Sequence, residues 1–155
     1  MSKTLSHQEL SKILPHAYPF LLIDRVEDYK EHEYLVATKN ITANEWPFTA
    51  LDHPPSHNHY PETLLIEAAA QAALVLYHIS KIKIGERRPK YFLGRTKGEF
   101  LKSIISGDKI SFLAFANKMM DTGGYSEIEI SVKSALVAKV EVIYSVRRDS
   151  SIPVS

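Results

Sequence analysis

The stretch Leu64-Leu65-Ile66-Glu67-Ala68-Ala69-Ala70-Gln71-Ala72-Ala73-Leu74-Val75-Leu76 decides the fold. Alanine and leucine are strong helix formers, and no proline or glycine intervenes between Pro61 and about Lys81. Pro61 itself suits the first turn of a helix, where its missing N–H does no harm. A helix lying on a protein surface carries a polar stripe. This run is apolar on nearly every face, so it predicts a helix of about 30 Å wrapped by other structure. The wider apolar segment, Leu64 to Ile79, is interrupted by Glu67 and Gln71. A membrane span needs about 20 mostly apolar residues, so a buried helix and no membrane span is the expectation.

On the N-terminal side, Ser6-His7-Gln8-Glu9 has capping-box spacing and predicts a short helix from about His7 to Leu14, ended by Pro15 and Pro19. Phe20 to Tyr29 and Glu33 to Thr42 read as a hairpin around Lys30-Glu31-His32. Asn44 to Tyr60, holding Pro47, Pro54 and Pro55, reads as an irregular loop. On the C-terminal side, Tyr91 to Phe100, Lys109 to Lys118, Tyr125 to Val132 and Leu136 to Arg147 are strand-like. Turn signals at Ser106-Gly107-Asp108 and Thr122-Gly123-Gly124 separate them. Val140, Val142, Tyr144 and Val146 alternate onto one face. The sum is one buried helix and about six strands, antiparallel because the links are short. A curved antiparallel sheet around one helix is an α+β fold.

The 155 residues, 45% of them apolar, fit one domain with a real core. Nineteen basic residues against eighteen acidic leave a net charge of +1, which argues against a nucleic-acid binder. The absence of cysteine excludes disulfides, thiolate zinc, iron–sulfur ligation and a cysteine nucleophile. Residues Met1 to Ser11 contain no apolar leader segment. A cytoplasmic location is the expectation.

Glu67 is the most informative residue, because a carboxylate amid aliphatic neighbours is costly to bury. If buried, its pKa should rise and it could serve as a general acid. Alternatively it faces solvent or is neutralised by a lysine or arginine. Gln71 lies one turn later on the same face and could orient Glu67 or pack at an interface. His53, in Leu51-Asp52-His53-Pro54-Pro55, is a candidate general base. With His57 and His59 it also forms a weak metal tract, but no matching ligand motif occurs elsewhere and no metal is expected. The N–H groups at Pro61-Glu62-Thr63 could hold a carbonyl oxygen as it gains charge. Glu62 also makes sense simply as a first-turn charge. From Lys81 to Lys102, eight basic residues oppose two acidic ones. These include Arg87, Arg88, Lys90, Arg95, Lys97 and Lys102, which suit an acidic partner or an ordinary solvated face.

Together these pieces resemble the hot-dog-fold (3R)-3-hydroxyacyl-[acyl-carrier-protein] dehydratases, from about Ile13 to Arg147. Leu14-Pro15-His16-Ala17-Tyr18-Pro19-Phe20-Leu21-Leu22-Ile23-Asp24-Arg25-Val26 is similar to that family's LPHRYPFLLVDRV. Lys39-Asn40-Ile41-Thr42 followed by Asn44-Glu45 is similar to KNVT-x-NE, and Pro61 to Gln71 to PGVLxxEAxAQ. Gly107-Asp108 matches the PGD turn. In the family the catalytic His of GHFPG and the helix Glu stand fourteen positions apart, as His53 and Glu67 do here.

The resemblance implies that His53 removes the α-proton of an acyl thioester and Glu67 protonates the departing β-hydroxyl. The backbone amide at Glu62 would be the oxyanion donor, with Tyr91 and Phe92 at the acyl tunnel; apart from the resemblance, Gln71 could orient Glu67, and Asp52, adjoining His53 in sequence, could alter its basicity as a supporting residue. It further implies a substrate carried on the phosphopantetheine arm of acyl carrier protein, no separate cofactor, and the basic segment as the carrier's docking face. A homodimer or higher assembly, such as a trimer of dimers, would complete the site with His and Glu from different protomers. Asp52, Ser56 and Glu62 stand where the family has glycines, and Ser106 replaces the proline before Gly107. These departures keep two further readings open: a hot-dog thioesterase, in which a helix carboxylate activates water, and a non-catalytic acyl-binding or partner subunit.

Overall fold

The computed structural model describes residues 3–17, 19–49 and 59–148. Ser6 caps helix α1 (His7–Ile13) as expected: its hydroxyl accepts from the Glu9 N–H at 3.3 Å, and the Glu9 carboxylate accepts from the Ser6 N–H at 2.7 Å. Strands β1 (Arg25–Lys30) and β2 (Tyr34–Asn40) form the expected hairpin, and His32 takes the left-handed conformation its turn requires (φ 65°). A single short turn of helix, α2 (Trp46–Thr49), opens the loop that was expected to be irregular.

The long helix, α3, spans Glu62–Lys81, one residue inside the expected start. Strands β3 (Lys90–Phe100), β4 (Lys109–Phe115), β5 (Lys118–Met120), β6 (Gly123–Val132) and β7 (Ala135–Arg147) follow. The sheet is antiparallel throughout, ordered β1-β2-β4-β6-β7-β3, with β5 attached to β6. It has seven strands rather than about six. The added one, β5, is a three-residue segment beyond Asn117 whose length gives no periodicity to read.

The sheet curls around α3, which packs on β2, β3, β4, β6 and β7. Leu65 and every residue from Ala68 to Tyr77 are buried. The helix is long and apolar enough to cross a bilayer by length and composition, yet its apolar surface faces Ile110, Phe112, Ile128, Ile130, Val140 and Val142 in one continuous core. Five buried alanines, Ala68, Ala69, Ala70, Ala72 and Ala73, let the strands approach the helix backbone closely. This is the hot-dog arrangement.

Strand β1 begins at Arg25, five residues later than the Phe20 start read from the sequence. The reason is tertiary. The Phe20 carbonyl and the Leu22 N–H are both engaged by the Gln71 side chain, at 2.7 and 2.8 Å, and are therefore not free for a strand ladder.

Candidate active site

Helix α3 carries the chemistry at its N-terminal third, where burial changes from partial at Leu64, Ile66 and Glu67 to complete at Ala68. The Glu67 side chain is 35% exposed, so it sits at the rim of the core rather than inside it. Its Oε1 receives the His16 Nε2 at 3.1 Å and, more weakly, the Gln71 Nε2 at 3.5 Å. The hydrogen bond from His16 holds the Glu67 carboxyl below the usual carboxylate range, outweighing the opposing effect of partial burial. This corrects the expectation of a raised pKa: within one chain Glu67 is ionised at neutral pH. Its hydrogen-bonding partner is a histidine, not the lysine or arginine of the alternative reading.

His16 is the residue that sequence reasoning missed. It was visible inside the motif Leu14 to Val26, but nothing in its spacing from Glu67 announces contact. The segment following α1 is tied along α3 at several points. Arg88 Nη1 donates to the Leu14 carbonyl at 2.9 Å, His16 meets Glu67, and Gln71 holds Phe20 and Leu22. Gln71 is fully buried, so its main work is to anchor this strap, with Glu67 as its weaker third contact.

His53, Asp52, Ser56 and His57 lie outside the described residues. The described residues resume at His59, which bridges Ile105, and Tyr60, whose N–H donates to the Ile104 carbonyl at 2.6 Å. Before the loop, the nearly buried Lys39 ammonium pairs with Glu45 at 3.1 Å and Asp24 at 4.0 Å, which fixes the Asn44-Glu45 end. Glu62 is exposed in the first turn of α3, and its neighbour Pro61 supplies no side-chain cap. Among the described residues no side-chain oxygen caps the amide end of the helix.

Tyr91 and Phe92 fall on opposite faces of β3. Tyr91 turns toward α3, with its hydroxyl 3.0 Å from the His78 Nδ1 and its ring edge-on to Tyr77. Burial pushes the Tyr91 hydroxyl upward and the His78 imidazole downward in pKa, so both are neutral at physiological pH. Phe92 faces out, with Arg147 stacked 5.3 Å from its ring. One chain therefore does not bring these two residues into a common tunnel. Among the basic residues, Arg87, Arg88, Lys90, Arg95, Lys97 and Lys102 are all exposed. Lys97 lies opposite Glu141 on β7, beside a cavity of about 220 Å³ that Glu99, Glu127 and Glu129 also line. Part of the segment's positive charge is therefore offset locally.

Comparison with known proteins places this arrangement. A family model for the FabA-like domain matches residues 14–146. The 3-hydroxyacyl-[acyl-carrier-protein] dehydratase FabZ of Aliivibrio fischeri is 41% identical over 109 residues, covering 70% of this chain and 71% of that protein. The FabZ of Clostridium botulinum (strain Loch Maree / Type A3) is 34% identical over 144 residues, covering 93% and 97%. Among solved structures, the dehydratase heterocomplex ApeI:P from Xenorhabdus doucetiae shares the fold, with a TM-score of 0.77 at 16% identity over 90% of this chain and 91% of that one. The matched region contains the α1–β1 strap, the loop, and all of α3 with Glu67. The chain belongs to the FabA-like family, among its FabZ-type 3-hydroxyacyl-[acyl-carrier-protein] dehydratases.

Proposed function

We propose that the chain dehydrates (3R)-3-hydroxyacyl thioesters, presented on acyl carrier protein, to trans-2-enoyl thioesters in fatty-acid or related lipid or polyketide biosynthesis. The observation that supports this most is the placement of Glu67: a carboxyl at the rim of the apolar helix, inside a FabZ-type match that spans nearly the whole chain. The thioester acidifies the α-proton, which His53 removes. The electron pair left on the α-carbon forms the double bond, the β-carbon–oxygen bond breaks, and Glu67 protonates the leaving oxygen to give water. The amide at Glu62 suits the thioester oxygen as it gains charge. No electron leaves the substrate, so the chemistry calls for no redox cofactor.

The reading includes a dimer. Strand β3 is eleven residues long, pairs on one side only among the described residues, and exposes Phe92 and Leu93, each at 45%. A free edge of this length is a template for pairing with a second copy. Gly98 on β3 lies against Ile66, so a copy docked there would cover the start of α3 and further desolvate Glu67. The exposed basic residues suit an acidic carrier protein, and a cytoplasmic enzyme fits this role.

A second reading, hydrolysis of acyl thioesters, draws support from the ionised state of Glu67 in the single chain, because a carboxylate activates water as a base. Incubation with 3-hydroxyacyl-acyl carrier protein distinguishes the two. Appearance of the enoyl absorbance without free thiol is the expected result. Thiol release without enoyl product would establish hydrolysis. Tight carrier binding with neither product would make the chain a non-catalytic subunit.

A further inference from the structure

Three features of His16 stand outside the roles assigned above. Its Nε2 touches Glu67 Oε1 at 3.1 Å. Its Nδ1 is buried and has no hydrogen-bond partner among the described residues. Its backbone is fixed, because the strap is tied at Leu14 by Arg88 and at Phe20 and Leu22 by Gln71.

The unpartnered Nδ1 decides the tautomer. A proton there would be a buried donor with no acceptor among the described residues, which is costly. In the neutral ring the proton therefore sits on Nε2, donating to Oε1. Gln71 Nε2 donates to the same oxygen. Both of these contacts fall on Oε1 and neither on Oε2. When Glu67 takes up a proton, Oε1 is already occupied by two donors, so the proton resides on Oε2.

We propose that His16 is a positioning residue for dehydration, whose Nε2–H fixes the Glu67 carboxyl and reserves Oε2 as the atom that delivers the proton to the leaving hydroxyl. The proposal rests on the dehydratase reading and deepens it. In the reaction His16 keeps its proton. The proton passes from Oε2 to the β-oxygen, water leaves, and Oε1 remains hydrogen-bonded as the carboxylate forms. Among the described residues His16 is the titratable group acting on Glu67, and Gln71 is the neutral one. The arrangement lowers the pKa of Glu67, leaving less of it protonated, in return for a fixed orientation, a trade that favours rate when misplacement of the donor by about 1 Å costs on the order of a hundredfold.

The test uses the full chain in three forms: wild type, His16→Gln, which keeps an amide N–H near the position of Nε2, and His16→Met, which keeps length without a donor. Dehydration of 3-hydroxyacyl-acyl carrier protein is followed across pH. The expected result is a kcat about thirtyfold lower for His16→Met with KM little changed, recovery to within about threefold in His16→Gln, and an upward move of the Glu67-dependent limb of the pH profile in His16→Met. Equal rates in all three, or equal losses in both variants, would overturn the assignment. Nitrogen NMR of the wild-type His16 ring needs no variant to fold. A neutral ring protonated at Nε2 is expected, and a proton on Nδ1 would overturn it. If wild type makes no enoyl product, the dehydratase reading fails instead, and the ring spectrum still reports whether the contact was read correctly.

Discussion

Helix α3 and strand β3 follow one another in the chain, yet they end in opposite environments. From Ala68 to Tyr77 the helix is enclosed on all sides. Along β3, by contrast, only Tyr91, Thr96 and Phe100 are even partly covered. One chain thus completes its core around the helix and leaves a regular strand unfinished at the sheet edge. Glu67 lies at the boundary between these regions. It is close enough to the core to be oriented by buried groups and open enough to receive a substrate and a second subunit.

The largest expected effect falls on that boundary. Glu67→Gln preserves shape and hydrogen bonding but cannot release a proton, so dehydration should fall by about 10²–10⁴ with little change in fold. Steady-state rates and circular dichroism check this, and a variant that retains wild-type turnover would remove Glu67 from the reaction. Next comes the closed side of the contrast. Ala69→Leu forces extra volume between α3 and the sheet and should cost about 1–3 kcal/mol in urea denaturation. A neutral outcome would mean that the alanine face tolerates looser packing than its complete burial implies.

The open side should respond differently. Leu93→Asp places a charge on an exposed position of β3, so chain stability should change by less than about 0.5 kcal/mol, the usual range for surface sites. Sedimentation should nevertheless shift from dimer or larger species to monomer. A variant that remains assembled would locate the interface elsewhere. The smallest effect concerns pH. The folded Glu67 pKa lies below its ordinary value, so the His16 contact stabilises the fold above the unfolded carboxylate pKa of about 4.3. That contribution disappears as pH falls through the lower folded value. Melting temperature should therefore drop more steeply on acidification in wild type than in Glu67→Gln, whose side chain does not titrate.

The same contrast explains what could be read from sequence. Helix α3, its Pro61 start and the Ser6 capping box were legible because helix propensity and capping are local. The β1–β2 hairpin and the last strands were legible through alternation and their turn residues. The late start of β1 was not, because Gln71, distant in sequence, takes the backbone groups of Phe20 and Leu22. Strand β5 is too short to carry a pattern. Glu67 was found by its chemical incongruity in an apolar run. Its ionised state was not, because that depends on an imidazole brought in by tertiary packing. His53 was a candidate from its proline-flanked segment, strengthened by a resemblance to a family whose His and Glu stand fourteen positions apart, and it lies outside the described residues.

The most direct test of a site shared between copies mixes two inactive proteins. His53→Ala retains Glu67, and Glu67→Gln retains His53. If each site draws its histidine and its carboxyl from different protomers, heterodimers of the two variants contain one intact site, and a randomised mixture should recover about a quarter of wild-type dehydration. Recovery on exchanging subunits is the predicted result. A mixture that forms heterodimers yet stays as inactive as its components would contradict a site completed by the partner.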